Sequence, residues 1–296
     1  MTLAKIAILL LQASVFLIVF SLGLEETWQS ATSLLRRPAM LARSLLSVNI
    51  IMPIFAAVVA GWFGLHPAVK IALIFLAISP VPPILPQKQL KAGGRRTYVY
   101  GLLTALALFS IIVVPIAMEI LGKVFGRDIH VGPFAVAKIV IRTILLPGGL
   151  GMLVHHFAPD FAKKASVPLG RLANLLLLVS AVPLLIFAWK PALQLIGHGE
   201  VLAMIAFTAV GVAVGHWLGG PDPAERETLA LASASHHPGL AIAIAVANFP
   251  AQRMLVAAAV VLFLIVNAVV VIPYTVWRKR VMARATERRG SQPRAA

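Results

Sequence analysis

The chain has 296 residues, of which 60% are hydrophobic and 12% charged, and its mean hydropathy is +0.93. Soluble domains are about half apolar and a quarter charged, so this composition excludes a water-soluble fold and predicts an all-α polytopic membrane protein. The formal net charge of +16 comes from Lys and Arg in short connections and a tail. We therefore expect a positive-inside topology and no nucleic-acid partner. Because cysteine is absent, disulfides and thiolate metal sites are excluded.

Apolar runs of about 20 residues predict membrane-spanning helices. We expect nine of them, near residues 5–24, 39–62, 67–92, 97–122, 132–154, 172–189, 200–218, 226–249 and 253–276.

Two of these spans, the third and the eighth, are interrupted near residues 80–86 and 235–239. A membrane protein unwinds its backbone at this depth only where protein or a water-filled cavity satisfies the freed N–H and C=O groups. Matching breaks in two halves of a sequence point to a transporter's substrate site. The residues that predict the two broken helices are Pro80, Pro82, Pro83, Pro86, Pro238 and Gly239.

The nine spans divide into a block of four (1–122) and a block of five (132–276). In each block the broken span is the second from the end, and the two are traversed in opposite directions. This is the pattern of an inverted repeat whose first copy lacks its leading helix. A basic tail (277–296) follows, whose Lys and Arg either are solvated or rest on anionic lipid head groups.

Lys and Arg concentrate in alternate connections. One set holds Arg36, Arg37, Lys91, Arg95, Arg96, Lys163, Lys164, Arg171 and Arg226, together with the tail. The other set of connections holds fewer Lys and Arg residues. By the positive-inside rule, the sequence predicts a multi-pass protein of the cell (inner) membrane with its N-terminus outside and its C-terminus in the cytoplasm.

Several short segments carry a family resemblance. They are residues 20–24 (Phe-Ser-Leu-Gly-Leu), 35–38 (Leu-Arg-Arg-Pro), 51–53 (Ile-Met-Pro), 145–147 (Leu-Leu-Pro) and 237–249, which begin His-Pro-Gly-Leu-Ala. In this order and spacing they resemble the bile acid:sodium symporter family, over nearly the whole length. The resemblance implies a core domain with two crossing broken helices and a panel domain that moves against it. It also implies nine spans, as in members that lack the first helix of the ten-helix form.

The chain departs from the family at the sodium site, where the resemblance implies oxygen-bearing ligands. Carried over by position, the ligands fall at Ile84, Leu85, Tyr98, Leu102, Ala232, His236 and Val48. Sodium needs about five or six oxygen ligands, by the logic of other hard cations, and no carboxylate lies in either break. We therefore expect no metal site, no other cofactor, and no sodium coupling of the family's usual kind.

Polar side chains at and near the breaks are the candidates for substrate binding: His236, His237, Ser233, Ser235, Asn267, Asn49, Gln87 and Lys88. Imidazole has an unperturbed pKa of about 6.5, so the histidines suggest a proton-coupled site; alternatively, one of them only donates to a freed carbonyl. Lys88 either attracts an anionic substrate or extends to the cytoplasmic face. The neutral groups either line the cavity or hold helices together. Asn267 matches an asparagine that faces the substrate cavity in the family.

These features predict a secondary-active transporter of a small organic anion that works by alternating access, and its transport is either coupled to protons as a further partner or uncoupled. The alternatives are a sodium-coupled organic-anion symporter and a non-transporting membrane sensor or scaffold on the same fold. We do not expect an enzyme, because the spans contain no Ser-Lys, His-Glu or paired-aspartate arrangement.

Overall fold

The computed structural model describes residues 3–126, 129–197 and 199–290, and all regular secondary structure in this part of the chain is helical. Eight helical segments in it are long and apolar enough to cross a membrane. The helices of eight or more residues are α1 (Leu3–Gly23), α2 (Pro38–Trp62), α3a (Pro67–Ile78), α3b (Leu85–Ala92), α4 (Arg96–Phe125), α5 (Pro133–Phe157), α6 (Pro159–Leu193), α7 (Glu200–Leu218), α8a (Pro223–Ala234), α8b (Pro238–Asn248) and α9 (Arg253–Gly290).

Two helices contain a wide π-type turn just before an internal proline. In α2 the turn covers Leu46–Ile51 and precedes Pro53, and in α5 it covers Ile141–Leu145 and precedes Pro147. Proline lacks an N–H, and its ring clashes with the carbonyl four residues earlier. The wider turn moves that carbonyl aside, so the helix continues through the proline.

The helices pack in two groups. Helices α1, α5 and α6 pack against one another, while α7, α8a, α8b and α9 pack around α3a and α2. Helix α4 contacts α5 of the first group and α2, α3a, α3b and α8a of the second, and α6 of the first group also contacts α9 of the second. The first group is closely packed, because a Cβ on Gly151 of α5 would collide with the carbonyl oxygen of Phe20 and with the backbone of Gly23 in α1.

Ion pairs collect at one end of the helices, which we call the basic end and define by Arg37, Arg95 and Arg96. Arg37 pairs with Glu225 at 2.5 Å, and Arg95 pairs with Asp222 at 2.5 Å. These contacts join the starts of α2 and α4 to the start of α8a.

The opposite end carries a different set of contacts. The backbone N–H of His66, which precedes α3a, donates to Glu200 at the start of α7 over 3.2 Å. Arg95, which follows α3b, instead contacts Asp222, which lies beyond the end of α7. The chain therefore passes from one end of the helices to the other along α3a and α3b.

Two boundaries differ from the sequence expectation. Helix α6 begins at Pro159 rather than near residue 172, because Pro159 at its first position and Asp160 in its first turn favour an early start. Helix α9 continues to Gly290, so most of the predicted tail is helical, and residues 291–296 lie outside the described residues. Arg278, at the start of that tail, is buried and donates to the carbonyl of Pro223 over 2.6 Å.

Candidate functional site

The two helix breaks meet in the interior. Residues 79–84 separate α3a from α3b, and residues 235–237 separate α8a from α8b. The backbone N–H of His237 donates to the carbonyl of Pro80 over 2.7 Å. Each break therefore satisfies a backbone group that the other has freed, which is the condition for unwound backbone at membrane depth. We call this place the crossing and define it by residues 79–84 and 235–237.

His236 belongs to the second break, and its side chain contacts the first. Its Nδ1 is 3.3 Å from the carbonyl oxygen of Ser79, and its Nε2 is 3.2 Å from that of Ser233. The ring is buried, with its centroid 5.3 Å from that of Phe207. An imidazolium donates from both nitrogens, whereas a neutral imidazole donates from only one. The two carbonyls thus favour a positive charge, while the apolar wall opposes it.

Three further predicted residues hold backbone or neighbouring helices at the crossing. The amide of Asn267 in α9 donates to the carbonyl of Ala234 over 2.6 Å, and the hydroxyls of Ser233 and Ser47 are 2.6 Å apart. His237 accepts from the N–H of Leu240 through Nδ1, and its buried Nε2 has no hydrogen-bond partner. All three of these side chains are buried.

The other predicted residues are spread more widely. Ser235 is half-buried at the end of α8a, and Asn49 is buried in the wide turn of α2. Gln87 is half-buried and Lys88 is exposed on α3b. Of the residues that predict the breaks, Pro80, Pro82 and Pro83 lie between α3a and α3b, whereas Pro86, Pro238 and Gly239 lie at helix starts.

The positions carried over from the sodium site are mostly packed in the interior. Ile84 is half-buried, and the buried members are Val48, Leu85, Tyr98, Leu102, Ala232 and His236. Among the residues that the structure describes, no group of three His, Cys, Asp or Glu side chains could hold a metal ion. The coupling ion remains a matter of prediction.

A cleft with a volume of about 270 Å³ lies between α1 and α5 on one side and α4 on the other, toward the basic end. Its wall is mainly apolar, with Val19, Leu103 and Met152 among the lining residues. The crossing histidines do not line it. Ile84, in the first break, packs against the cluster that contains Tyr100, a lining residue of the cleft. The first break therefore borders a cluster of buried side chains that also contributes to the wall of the cleft.

The polar part of the cleft was missed by sequence reasoning. Glu26 and Tyr100 line it, and both are about 95% buried. Arg96 lies 3.6 Å from Glu26 and 2.9 Å from Glu25. Burial raises the pKa of Glu26 above its ordinary value, against the opposing effects of Ser30 and Arg96. The available signal was an acidic pair after α1 together with an Arg and a Tyr one turn apart on α4.

Broken helices that meet in the interior of a polytopic helical protein, with a cleft beside them, define the class of secondary transporters. The model of the Sodium Bile acid symporter family matches residues 13–191, which is more than half of the chain. The chain belongs to this family, and it is a membrane transporter of the bile acid symporter type. The match confirms the resemblance described above. No curated protein sequence matches the chain.

Proposed function

We propose that this transporter carries a small organic anion across the cell (inner) membrane by alternating access. In the proposal, α1, α5 and α6 form the panel, and the other spans form the core. The cleft supports this division, because it opens between α1 and α5 on the panel side and α4 on the core side. The glycine contacts between α1 and α5 also support it, since they hold these two panel helices close together.

The proposal includes nine crossings in an inverted repeat of four and five spans, with the C-terminus in the cytoplasm. Its support is the passage of α3a and α3b between the two ends, which adds a ninth crossing to the eight long apolar segments. The basic end, with Arg37, Arg95 and Arg96, is then cytoplasmic.

The coupling ion in this proposal is a proton, and His236 and His237 are the groups that bind it. The observation that carries it is the position of His236 between two carbonyl oxygens, where an imidazolium satisfies both. Apolar side chains replace most of the carried-over sodium ligands, and they supply no oxygen. Relative motion of the core helices would hydrate the ring and let the proton exchange.

Uptake into proteoliposomes tests the coupling. The protein is reconstituted, and entry of labelled taurocholate and of smaller carboxylates is measured with a sodium, a potassium or a pH gradient imposed separately. We expect uptake that follows the pH gradient and is indifferent to the choice of sodium or potassium. Strict dependence on sodium would overturn the proton proposal and favour the symport usual in the family.

A matched pair of histidine variants sharpens the test. His236→Asn removes the imidazole at the crossing, whereas His156→Asn removes an exposed imidazole at the end of α5. We expect only His236→Asn to abolish uptake driven by the pH gradient while the protein stays folded. If a folded protein moves no solute under any gradient, the sensor or scaffold alternative is favoured instead.

A further inference from the structure

Glu227 is a buried carboxylate that the protein leaves without a hydrogen bond. It lies about one turn into α8a, its side chain is 0% exposed, and neither of its oxygens has a donor among the described residues. An ionised carboxylate is strongly unfavourable away from water unless hydrogen bonds and an opposite charge replace the solvent, whereas a neutral carboxylic acid costs much less. This position therefore requires either a closely bound cation or a proton.

Arg278 of α9 faces this carboxylate, but the ion pair between them is open. The Nε of Arg278 is 3.9 Å from Oε2 of Glu227, well beyond the length of about 2.8 Å that a charge-assisted hydrogen bond has. That Nε has no other acceptor among the described residues. The guanidinium instead donates to the carbonyl of Pro223 over 2.6 Å and lies 5.5 Å from the centre of the Trp277 ring. A cation is therefore within reach of the carboxylate without binding it.

The charges that act on Glu227 come from α9. Besides Arg278, Lys279 acts on its carboxyl, and the Tyr274 hydroxyl lies within electrostatic range of it. Tyr274 is itself hydrogen-bonded to His216 of α7 at 2.9 Å. The titratable residues in and beside α2, α3b and α4 at this end, and those next to Glu227 on α8a, are exposed or bonded to other groups: Arg37, Arg43, Lys88, Lys91, Arg95, Arg96, Tyr98, Glu225 and Arg226.

We propose that Glu227 binds a proton at the basic end of α8a, and that Arg278 competes with this proton for the carboxylate. With the proton bound, the carboxyl is neutral and the guanidinium stays on the carbonyl of Pro223, which is the arrangement seen here. When the proton passes to water at the basic end, the carboxylate draws the guanidinium about 1 Å closer and accepts a hydrogen bond from its Nε–H.

Proton exchange at this site changes how two helices are held together, because Glu227 belongs to α8a and Arg278 to α9. The ionised carboxylate ties the end of α9 to the start of α8a, and the protonated one releases it. The site is separate from the crossing, and it does not depend on the coupling proposed there.

Infrared difference spectroscopy tests the site directly. Spectra of the purified full chain in lipid nanodiscs are compared between about pH 8.5 and about pH 5.5, a range above the ordinary titration of Asp and Glu. We expect the carbonyl band of a protonated carboxylic acid at the lower pH, and Glu227→Gln should remove part of it. Glutamine has the shape of the protonated acid, so this variant should fold. Any band from the buried Glu26 should remain in Glu227→Gln.

Glu225 supplies a matched control on the same helix. Its side chain is also buried, but Arg37 donates to both of its carboxylate oxygens, over 2.5 Å and 3.1 Å. Glu225→Gln therefore removes a buried carboxyl group that has its hydrogen bonds. The band assigned to Glu227 should persist in this variant.

Variants of Arg278 test the competition. Arg278→Gln removes the competing cation, so the pH at which the Glu227 band disappears should rise by about one to three units. Arg278→Lys keeps the positive charge and should give a smaller rise. Lys279→Gln is the control, because it removes the charge of an exposed neighbour, and it should also shift the band less than Arg278→Gln does.

The outcomes separate this inference from the proposed function. A carboxylic acid band unchanged by Glu227→Gln, or lost equally in Glu225→Gln, would overturn the proton site. An unshifted band in both Arg278 variants would overturn the competition. Either result would leave the proposed transport standing if uptake still followed the pH gradient. A band that behaves as expected in a protein that moves no solute would count against the proposed function alone.

Discussion

The side chains at the crossing are those that the freed backbone requires. Where α3 and α8 unwind, carbonyls of Ser79, Ser233 and Ala234 lose helical partners, and His236 and Asn267 take their place. A buried backbone group without a partner costs about as much as a lost hydrogen bond. Polar residues in these spans therefore have a structural role before any role in transport, and their variants must be judged by stability as well as by uptake.

Asn267→Ala should destabilise the fold. It removes the donor to the buried carbonyl of Ala234 at 2.6 Å, and an unsatisfied buried acceptor costs about 1–3 kcal/mol. Melting temperature in detergent measures the effect. Asn174→Ala is the control, because the Asn174 amide donates to the carbonyl of Gly170 on an exposed surface, and we expect a change within about 0.5 kcal/mol. Equal losses of stability in the two variants would show that the buried hydrogen bond of Asn267 contributes no more than the exposed one of Asn174.

Glu26 should make stability depend on pH. Its folded-state pKa lies above the ordinary value of 4.5, chiefly through burial, so the folded protein holds this proton more tightly than the unfolded chain does. Its contribution to stability is therefore favourable at low pH and is lost as pH rises through the folded pKa. Glu26→Gln should match the unmodified chain near pH 4 and exceed it in melting temperature at neutral pH. Glu119→Gln, which removes an exposed carboxylate paired with Lys123, is the matched control. A Glu26→Gln variant that is less stable at neutral pH would contradict the expectation.

At the scale of helices, close packing depends on glycine where two backbones touch. A Cβ on Gly215 of α7 would meet the carbonyl of Leu229 and the backbone of Ala230 in α8a. The same helix approaches the crossing through Gly211, where a Cβ would lie 2.5 Å from the carbonyl oxygen of Ser233. Helix α7 therefore supports the half-helix whose end forms the second break, and its distance from α8a fixes the position of His236.

Gly215→Ala should lower stability by about 1–3 kcal/mol, because an added methyl group must push α7 away from α8a. Gly61→Ala is the control. Gly61 lies in α2 with no atom near the position of an added Cβ, and alanine is favoured over glycine inside a helix by about 1 kcal/mol. The melting temperatures of the two variants should therefore shift in opposite directions, down for Gly215→Ala and up for Gly61→Ala. A tolerated Gly215→Ala would mean that α7 and α8a can separate at no cost.

For the molecule as a whole, the number of crossings depends on α3. Neither α3a nor α3b is long enough to span a bilayer alone, since a spanning helix needs about 20 residues and α3a has 12 and α3b has 8. Contacts of the flanking connections place their outer ends at opposite ends of the helices. The two half-helices joined by the break therefore act as one span, and the break lies in its interior.

Cysteine labelling tests this count, and the chain offers a clean background because it has no cysteine. Single variants Gly64→Cys and Lys91→Cys place thiols at exposed positions before α3a and near the end of α3b. In intact cells, a membrane-impermeant maleimide should label the first from outside and reach the second only after the membrane is opened. Labelling of both from the same side would reduce the count to eight. Labelling with inverted sides would preserve nine crossings but reverse the proposed orientation.

The sequence by itself determined the helical class, the approximate position of most spans, the two breaks and the basic asymmetry. These are local properties: the length of an apolar run, the missing N–H of proline and the charge of a connection are all readable from neighbouring residues. The family resemblance rests on short segments of the same local kind. His236 and His237 could be singled out because they stand beside Pro238.

Only the tertiary structure decided which groups meet. The carbonyl of Pro80 and the N–H of His237 are far apart in sequence, as are Arg37 and Glu225, and nothing local specifies their pairing. The same holds for Arg278. The sequence placed it in the basic tail, whereas in the structure its side chain is buried and donates to the carbonyl of Pro223. Tyr100 and Glu26 line one cleft because α1 and α4 approach each other there. Such contacts depend on how whole helices pack, and packing is settled by complementary surfaces that form only when distant segments come together.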